Sequence, residues 1–177
     1  MTESVGLVRD ATEADGVSCA AIYEYYVCST PITFEVVAPT AKDMAERIRA
    51  AQQSHAWLVL ETDANVIGYA YATAYASRAA YQWSCETSVY LDTDFRGKGG
   101  GRLLYTALLE RLTQRGYRQA VAGITLPNEG SRRLHEAFGF QEIGTFHDIG
   151  WKFDAWHDVL RLQRPLGAAT EPPRELV

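Results

Sequence analysis

Cysteine is scarce in this sequence, three in 177 residues, which excludes the small disulfide-framed class of fold. Cys19, Cys28 and Cys85 show neither a CxxC nor the Cys/His spacing of a zinc site, and an odd count suits a reducing compartment. Cys19 and Cys28 fall in one expected helix, about 13 Å of axial rise apart and too far to bridge. All three are expected as small buried or half-buried side chains. Long apolar runs are missing too. None approaches the ~20 residues that span a bilayer, and no signal-peptide pattern opens the chain, so a cytoplasmic protein with no membrane partner is expected. Basic charge is in short supply: 17 Lys and Arg against 22 Asp and Glu leave a formal charge of -5, which argues against a nucleic-acid partner. Internal repeats, low-complexity tracts and linkers are absent.

What remains is a chain of one-domain length with 47% hydrophobic residues, enough to close a sizeable core. The catalytic domain is expected over residues 1–163, and residues 164–177, with three prolines and few large apolar side chains, read as a loose or partner-draped tail. Leu7 to Arg9 reads as a strand, and Thr12-Glu13-Ala14-Asp15 as a capping box opening a helix to about Tyr26. Thr40 and Asp43 open a second helix to about Gln53. Ala56 to Glu61 and Val66 to Tyr75 form a hairpin whose second strand alternates Ile67, Tyr69 and Tyr71 with Gly68, Ala70 and Ala72. A strand follows from about Gln82 to Leu91. Gly116 closes a long helix carrying Leu104, Leu108 and Leu112. Gln119 to Thr125 is a strand, Glu129 to Phe138 a helix, and Phe140 to Phe146 and Asp158 to Leu162 the last strands.

The stretch from Glu86 to Glu110 organises the rest. An apolar strand runs into Arg96-Gly97-Lys98-Gly99-Gly100-Gly101, four glycines in six residues, and then into the long helix. Glycine lets the backbone come close to a ligand, and the free N–H groups of a helix start favour an anion, most often phosphate. A P-loop would end in Gly-Lys-Ser/Thr, whereas Arg102 follows Gly101; a dinucleotide fingerprint belongs after the first strand. Arg96, Lys98, Arg102, Arg132 and Arg133 are expected to gather around this anion site.

Arg96, Gly99 and Gly101 match Gln/Arg-x-x-Gly-x-Gly/Ala, so the loop resembles the acetyl-CoA loop of the GNAT N-acetyltransferases. The resemblance implies an α/β fold with a mixed, mostly antiparallel splayed central sheet flanked by helices, and acetyl-CoA as co-substrate. It implies that residues 96–102, with Gly97, Lys98 and Gly100 among them, hold the pyrophosphate, and that Val89, Tyr90 and Leu91 pair with the pantetheine arm. The segment Asn128-x-x-Ser131-x-x-x-His135 is similar to a further family pattern, with histidine where many relatives have tyrosine, and it adds Asn128 and Ser131 to the cofactor residues.

Acetyl transfer to an amine needs a group that removes a proton from the ammonium and one that supplies a proton to the departing sulfur. Glu86, three residues before Val89, is the candidate base, with burial expected to raise its pKa; it also counts among the substrate-binding residues. His135 is the candidate acid or substrate-positioning group. Cys85 is a weaker nucleophile candidate with no partnered histidine in view.

Ala11 to Asp15, Glu86 to Tyr90, Leu126-Pro127-Asn128, Leu134 to Ala137 and Trp156 to Val159 resemble the phosphinothricin and methionine sulfoximine or sulfone acetyltransferase branch of the family, over about residues 7 to 163. This implies a homodimer acetylating the α-amine of a small amino-acid-like molecule. Phe34, Arg78 and Tyr81 are then the expected substrate-binding residues, Arg78 neutralising an acidic group. Ala76 stands where herbicide-detoxifying relatives carry a lysine, which leaves the substrate open. A protein or peptide N-acetyltransferase and a non-catalytic CoA sensor remain alternatives. His157 and Asp158 lack a third ligand, so no metal is expected; Trp151 and Trp156 are expected in the core or a dimer interface.

Overall fold

The computed structural model describes residues 6–168, 173 and 175–177. Strand β1 (Leu7–Asp10) turns into helix α1 (Gly16–Ser29) at Thr12, whose N–H donates to the Asp15 carboxylate at 2.7 Å. Helix α2 (Ala41–Ser54) opens on a full capping box: Asp43 N–H donates to Thr40 Oγ1 at 3.2 Å, and Thr40 N–H to the Asp43 carboxylate at 2.8 Å. Then come β2 (Ala56–Thr62), β3 (Asn65–Ala74), β4 (Ser84–Leu91), α3 (Gly100–Gln114), β5 (Gln119–Thr125), α4 (Glu129–Ala137), β6 (Gln141–Lys152) and β7 (Ala155–Pro165). The expected helices and strands are present in order.

The seven strands form one sheet in the order β1-β2-β3-β4-β5-β7-β6. Every pair is antiparallel except β4 with β5, which run parallel. Helices α1 and α2 cover one face through Tyr23, Met44 and Ile48 on Trp57, Val59 and Tyr69. Helix α3 covers the other, with Leu104, Leu108 and Leu112 all fully buried; burying each such leucine is worth about 1.5–3 kcal/mol. The alternation along β3 explains the asymmetry. Tyr69 goes to the α1/α2 side, while Gly68, Ala70 and Ala72 let α3 come close, and a Cβ on Gly68 would stand 2.4 Å from Leu91 Cδ2.

Three expectations change. The last two strands are far longer than the sequence suggests, because Phe153 and Asp154 both take left-handed backbone (φ 52° and 55°) and close a tight hairpin turn without the usual Asn-Gly signal. The described part of the tail is not loose: Leu166 is buried, Leu176 packs on the α3-side core and Val177 N–H donates to Arg115 O at 3.1 Å. Cys28 is exposed, since it lies on the outer face of α1, whereas Cys19 and Cys85 are buried.

Candidate active site

Strands β4 and β5 pair only at Ser84 to Glu86 with Gln119 to Val121. Beyond that they part, β4 staying with β3 and β5 with β7. In an antiparallel ladder alternate residues turn both N–H and C=O to the same side. Leu91 turns its own away from β3 to the Tyr26 hydroxyl, donating at 3.2 Å and accepting at 2.6 Å. Val89, two residues earlier, therefore turns its main-chain groups into the opening. Tyr90 points its ring the other way, into the Tyr23, Tyr26 and Tyr69 cluster.

A cleft of about 520 Å³ begins at this opening. It brings together Val89, Leu91, Arg96, Gly97, Gly99, Gly101, Arg102, Asn128, Ser131 and Arg133 from the expected residues, and adds Tyr26, Ile32, Gly130, Leu134 and Ala137. Gly97 and Gly99 hold positive φ (74° and 87°), and a Cβ on either would meet nothing within 4 Å, so these two glycines are required by conformation rather than crowding. Gly100 has another purpose: its Cβ would stand 2.8 Å from Leu60 Cδ2, so it seats α3 on the sheet. Intrahelical bonding starts at Arg102, whose N–H reaches Gly99 O at 3.0 Å. The N–H groups ahead of it are the free donors of the helix start.

Around this mouth Arg96 lies over the rings of Tyr25 and Tyr26 (4.9 and 4.8 Å) and Arg102 over Phe138 (5.7 Å). With Arg133 they give the cleft three guanidinium groups. Two expected cations are elsewhere. Lys98 lies over Phe95 and outside the cleft, and Arg132 is occupied by Glu129, Glu136 and Glu142 on the outer face of α4. Apolar walls, free amide donors and three arginines fit a cofactor with an apolar arm and a diphosphate.

Past Val89 the cleft narrows to a recess of about 50 Å³ whose lining includes Thr87, Ser88, Tyr90, Tyr105, Gly123, Asn128, Ser131 and His135. His135 is buried. Its Nδ1 lies 2.8 Å from the Ser131 carbonyl, which can only accept, so Nδ1 carries the proton and Nε2 accepts from the Tyr105 hydroxyl at 2.8 Å. Burial lowers the His135 pKa, the Ser131 contact opposing it, and pushes the Tyr105 phenol up. The imidazole is thus neutral with both nitrogens engaged. Cys85, on β4 and buried in the α3-side core, has its thiol pushed up to about 12 by burial, so its thiolate is suppressed.

Glu86 is not the buried carboxylate expected. Its side chain is 35% exposed and its Oε1 accepts from Arg161 Nη1 at 2.7 Å. Arg161 belongs to β7 and is paired with Gly123 of β5. A Cβ on Gly123 would stand 2.7 Å from that Nη1, so the arginine crosses β5 over its glycine.

Phe34, Arg78 and Tyr81, the expected substrate residues, each have partners of their own. Phe34 lies on the β6–β7 hairpin, where a Cβ on Gly150 would come within 2.2 Å of its ring, and 6.2 Å from the His157 ring. Buried Lys152 fixes the same loop, donating to Thr33 O at 2.8 Å; burial lowers its pKa. Arg78 is exposed and stacks over Tyr81 at 5.4 Å, which in turn meets Tyr75 edge-on at 5.5 Å. Neither cavity includes Phe34, Arg78, Tyr81 or Glu86. Among the described residues no His/Cys/Asp/Glu cluster could hold a metal, and no helix is long and apolar enough to cross a membrane. Trp151 and Trp156 are paired at 5.3 Å but exposed, not in the core.

Tyr26, Tyr105 and Arg161 escape sequence reasoning. Tyr26 looks like a core residue of an amphipathic helix, and Arg161 gains meaning only once β7 is known to lie beside β5.

Residues 8–160 match the model of an acetyltransferase (GNAT) domain. The chain is 36% identical over 167 residues to a phosphinothricin N-acetyltransferase of Streptomyces viridochromogenes, covering 94% of this chain and 91% of the relative. It is 32% identical over 171 residues to an L-methionine sulfoximine/L-methionine sulfone acetyltransferase of Pseudomonas aeruginosa, covering 94% and 98%. The crystal structure of a GNAT superfamily phosphinothricin acetyltransferase from Sinorhizobium meliloti in complex with acetyl-CoA superposes with a TM-score of 0.91 at 35% identity, covering 98% of this chain and 94% of that one. Parted strands, glycine loop and sequence agree: the chain belongs to the GNAT family of acetyl-CoA-dependent N-acetyltransferases.

Proposed function

We propose that the chain moves the acetyl group of acetyl-CoA to the α-amine of a small amino-acid-like molecule of the phosphinothricin, methionine sulfoximine or methionine sulfone type. The observation that carries this is the continuity of the cleft at the glycine loop with the recess beside Ser88 and Gly123, on the strand that bears Glu86. The N–H groups at residues 97–101, with the side chains of Arg96, Arg102 and Arg133, hold the diphosphate, and Val89 and Leu91 flank the pantetheine arm. Asn128 and Ser131 border both cavities and orient the arm where it turns inward.

Glu86 receives the proton that the incoming ammonium must lose before its nitrogen attacks the thioester carbonyl. The Val89 N–H stabilises the oxyanion of the tetrahedral intermediate, whose collapse breaks the C–S bond as the surplus proton on the nitrogen passes to the departing CoA sulfur. His135 has its proton committed to the Ser131 carbonyl, so it serves by holding the Tyr105 hydroxyl at the floor of the recess rather than by delivering a proton. Phe34, Arg78 and Tyr81 form the outer wall for the rest of the substrate, Arg78 facing its acidic group. The relatives named above for such substrates support the class.

A homodimer belongs to the same reading. Phe146, Ile149, Trp151, Phe153 and Trp156 are each more than half exposed along the β6–β7 hairpin, and clustered exposed apolar groups mark association surfaces. The test of function is release of CoA thiol from acetyl-CoA in the presence of phosphinothricin, methionine sulfoximine, methionine sulfone and ordinary amino acids. Turnover confined to the first three supports the class; turnover only with peptides or larger amines overturns it.

A further inference from the structure

Neighbouring strands lie about 4.8 Å apart, so β7 and β4 are about 10 Å apart across β5. A β7 side chain reaches β4 only by lying directly over β5, and a side chain at the crossing blocks it. The residue at the crossing is Gly123, the register partner of Arg161, and its missing Cβ is what the guanidinium needs, the two being 2.7 Å apart if a Cβ is added. Gly123 is exposed and also borders the recess, and the nearest atoms beyond the Arg161 guanidinium lie 3.5 Å or more from that added Cβ. Arg161 is 23% exposed and its Nη1 donates to Glu86 Oε1. Rotating an exposed glutamate freely among its rotamers would spread the carboxylate over several ångströms.

We propose that Arg161, admitted over Gly123, is a positioning residue that fixes the Glu86 carboxylate beside the recess. This rests on Glu86 being the base. It makes Gly123 and Arg161 one device on two strands: the effect of replacing Arg161 should vanish once Glu86 is replaced.

The experiment measures CoA thiol release with methionine sulfoximine as acceptor, with acetyl-CoA affinity by calorimetry and thermal midpoints as controls. Arg161→Gln is expected to lower kcat by up to about 100-fold, the scale of a 1 Å misplacement, with acetyl-CoA affinity and thermal midpoint retained. Arg161→Lys should recover part of the loss, and Gly123→Ala should lower kcat in the same direction. In a Glu86→Gln background, Arg161→Gln should change nothing further. Wild-type kcat in Arg161→Gln while Glu86→Gln is inactive overturns the positioning role and leaves the base intact. Wild-type kcat in Glu86→Gln overturns the base and the proposal together. Additive losses in the double variant, or losses that follow stability, overturn the proposal as well. Arg161→Lys, which keeps the charge, keeps the test open if Arg161→Gln fails to fold.

Discussion

On the α3 side of the parted strands the site is made of main chain: the start of a helix, two left-handed glycines and the inward edge of β4. On the α1/α2 side the Glu86–Arg161 pair is made of side chains, one from β4 and one from β7. A site of main chain depends on backbone conformation and is indifferent to most substitutions. A site of side chains changes with each residue, which suits the half that must distinguish one amine from another.

The contrast is broken most sharply at Gly99. A β-branched residue at φ 87° costs about 1–2 kcal/mol or more, while nothing lies within 4 Å of the added Cβ to confuse the result with a clash. Gly99→Val should lower acetyl-CoA affinity at least about tenfold by calorimetry and lower the thermal midpoint by only about 2–8 °C. Unaltered affinity would show that the loop conformation does not make the donor site.

His135, at the junction of the two sides, sharpens the comparison through pH. Its folded pKa lies below the ordinary value of 6.5 because burial disfavours the imidazolium. Below about pH 6.5 the unfolded chain binds a proton that the folded one refuses, so stability is full above that pH and falls as the solution is acidified. His55, also lowered by burial, acts with the same sign. His135→Gln should cost about 1–3 kcal/mol at neutral pH and make the acid-side decline shallower by up to about 1.4 kcal/mol per pH unit, followed by urea melts between pH 7 and 5. A slope identical to the parent chain would mean that His135 titrates normally.

The smallest effect belongs to the outer wall. Arg78 is solvent-exposed, so Arg78→Ala should raise KM for an acidic amine only about two- to fivefold without affecting acetyl-CoA. Ala76→Lys should move it the opposite way. Equal changes for a neutral amine would detach Arg78 from charge recognition.

The same contrast governs what the sequence discloses. The donor half is local: strand, glycine loop and helix follow one another within residues 86–112, and their periodicities place them. Even there Gly100 and Gly101 look alike in sequence, and only packing separates the helix-seating Gly100 from its neighbour at the cleft. The acceptor half is assembled from strands far apart in the chain. The exposure of Glu86 and its partner on β7 follow from the order β4-β5-β7, which no periodicity contains. The long β6–β7 hairpin was hidden for a different reason, since Phe153 and Asp154 adopt a turn that neither residue type announces.

The gap between β4 and β5 also joins folding to ligand binding. A molecule lying along Val89 and the loop amides completes hydrogen bonding that the strands forgo, so it binds the native chain and not the unfolded one. Saturation at 100 times the dissociation constant should add about 2.7 kcal/mol to stability. The amides of residues 89–101 should then exchange with deuterium more slowly, along with those that exchange only through global unfolding.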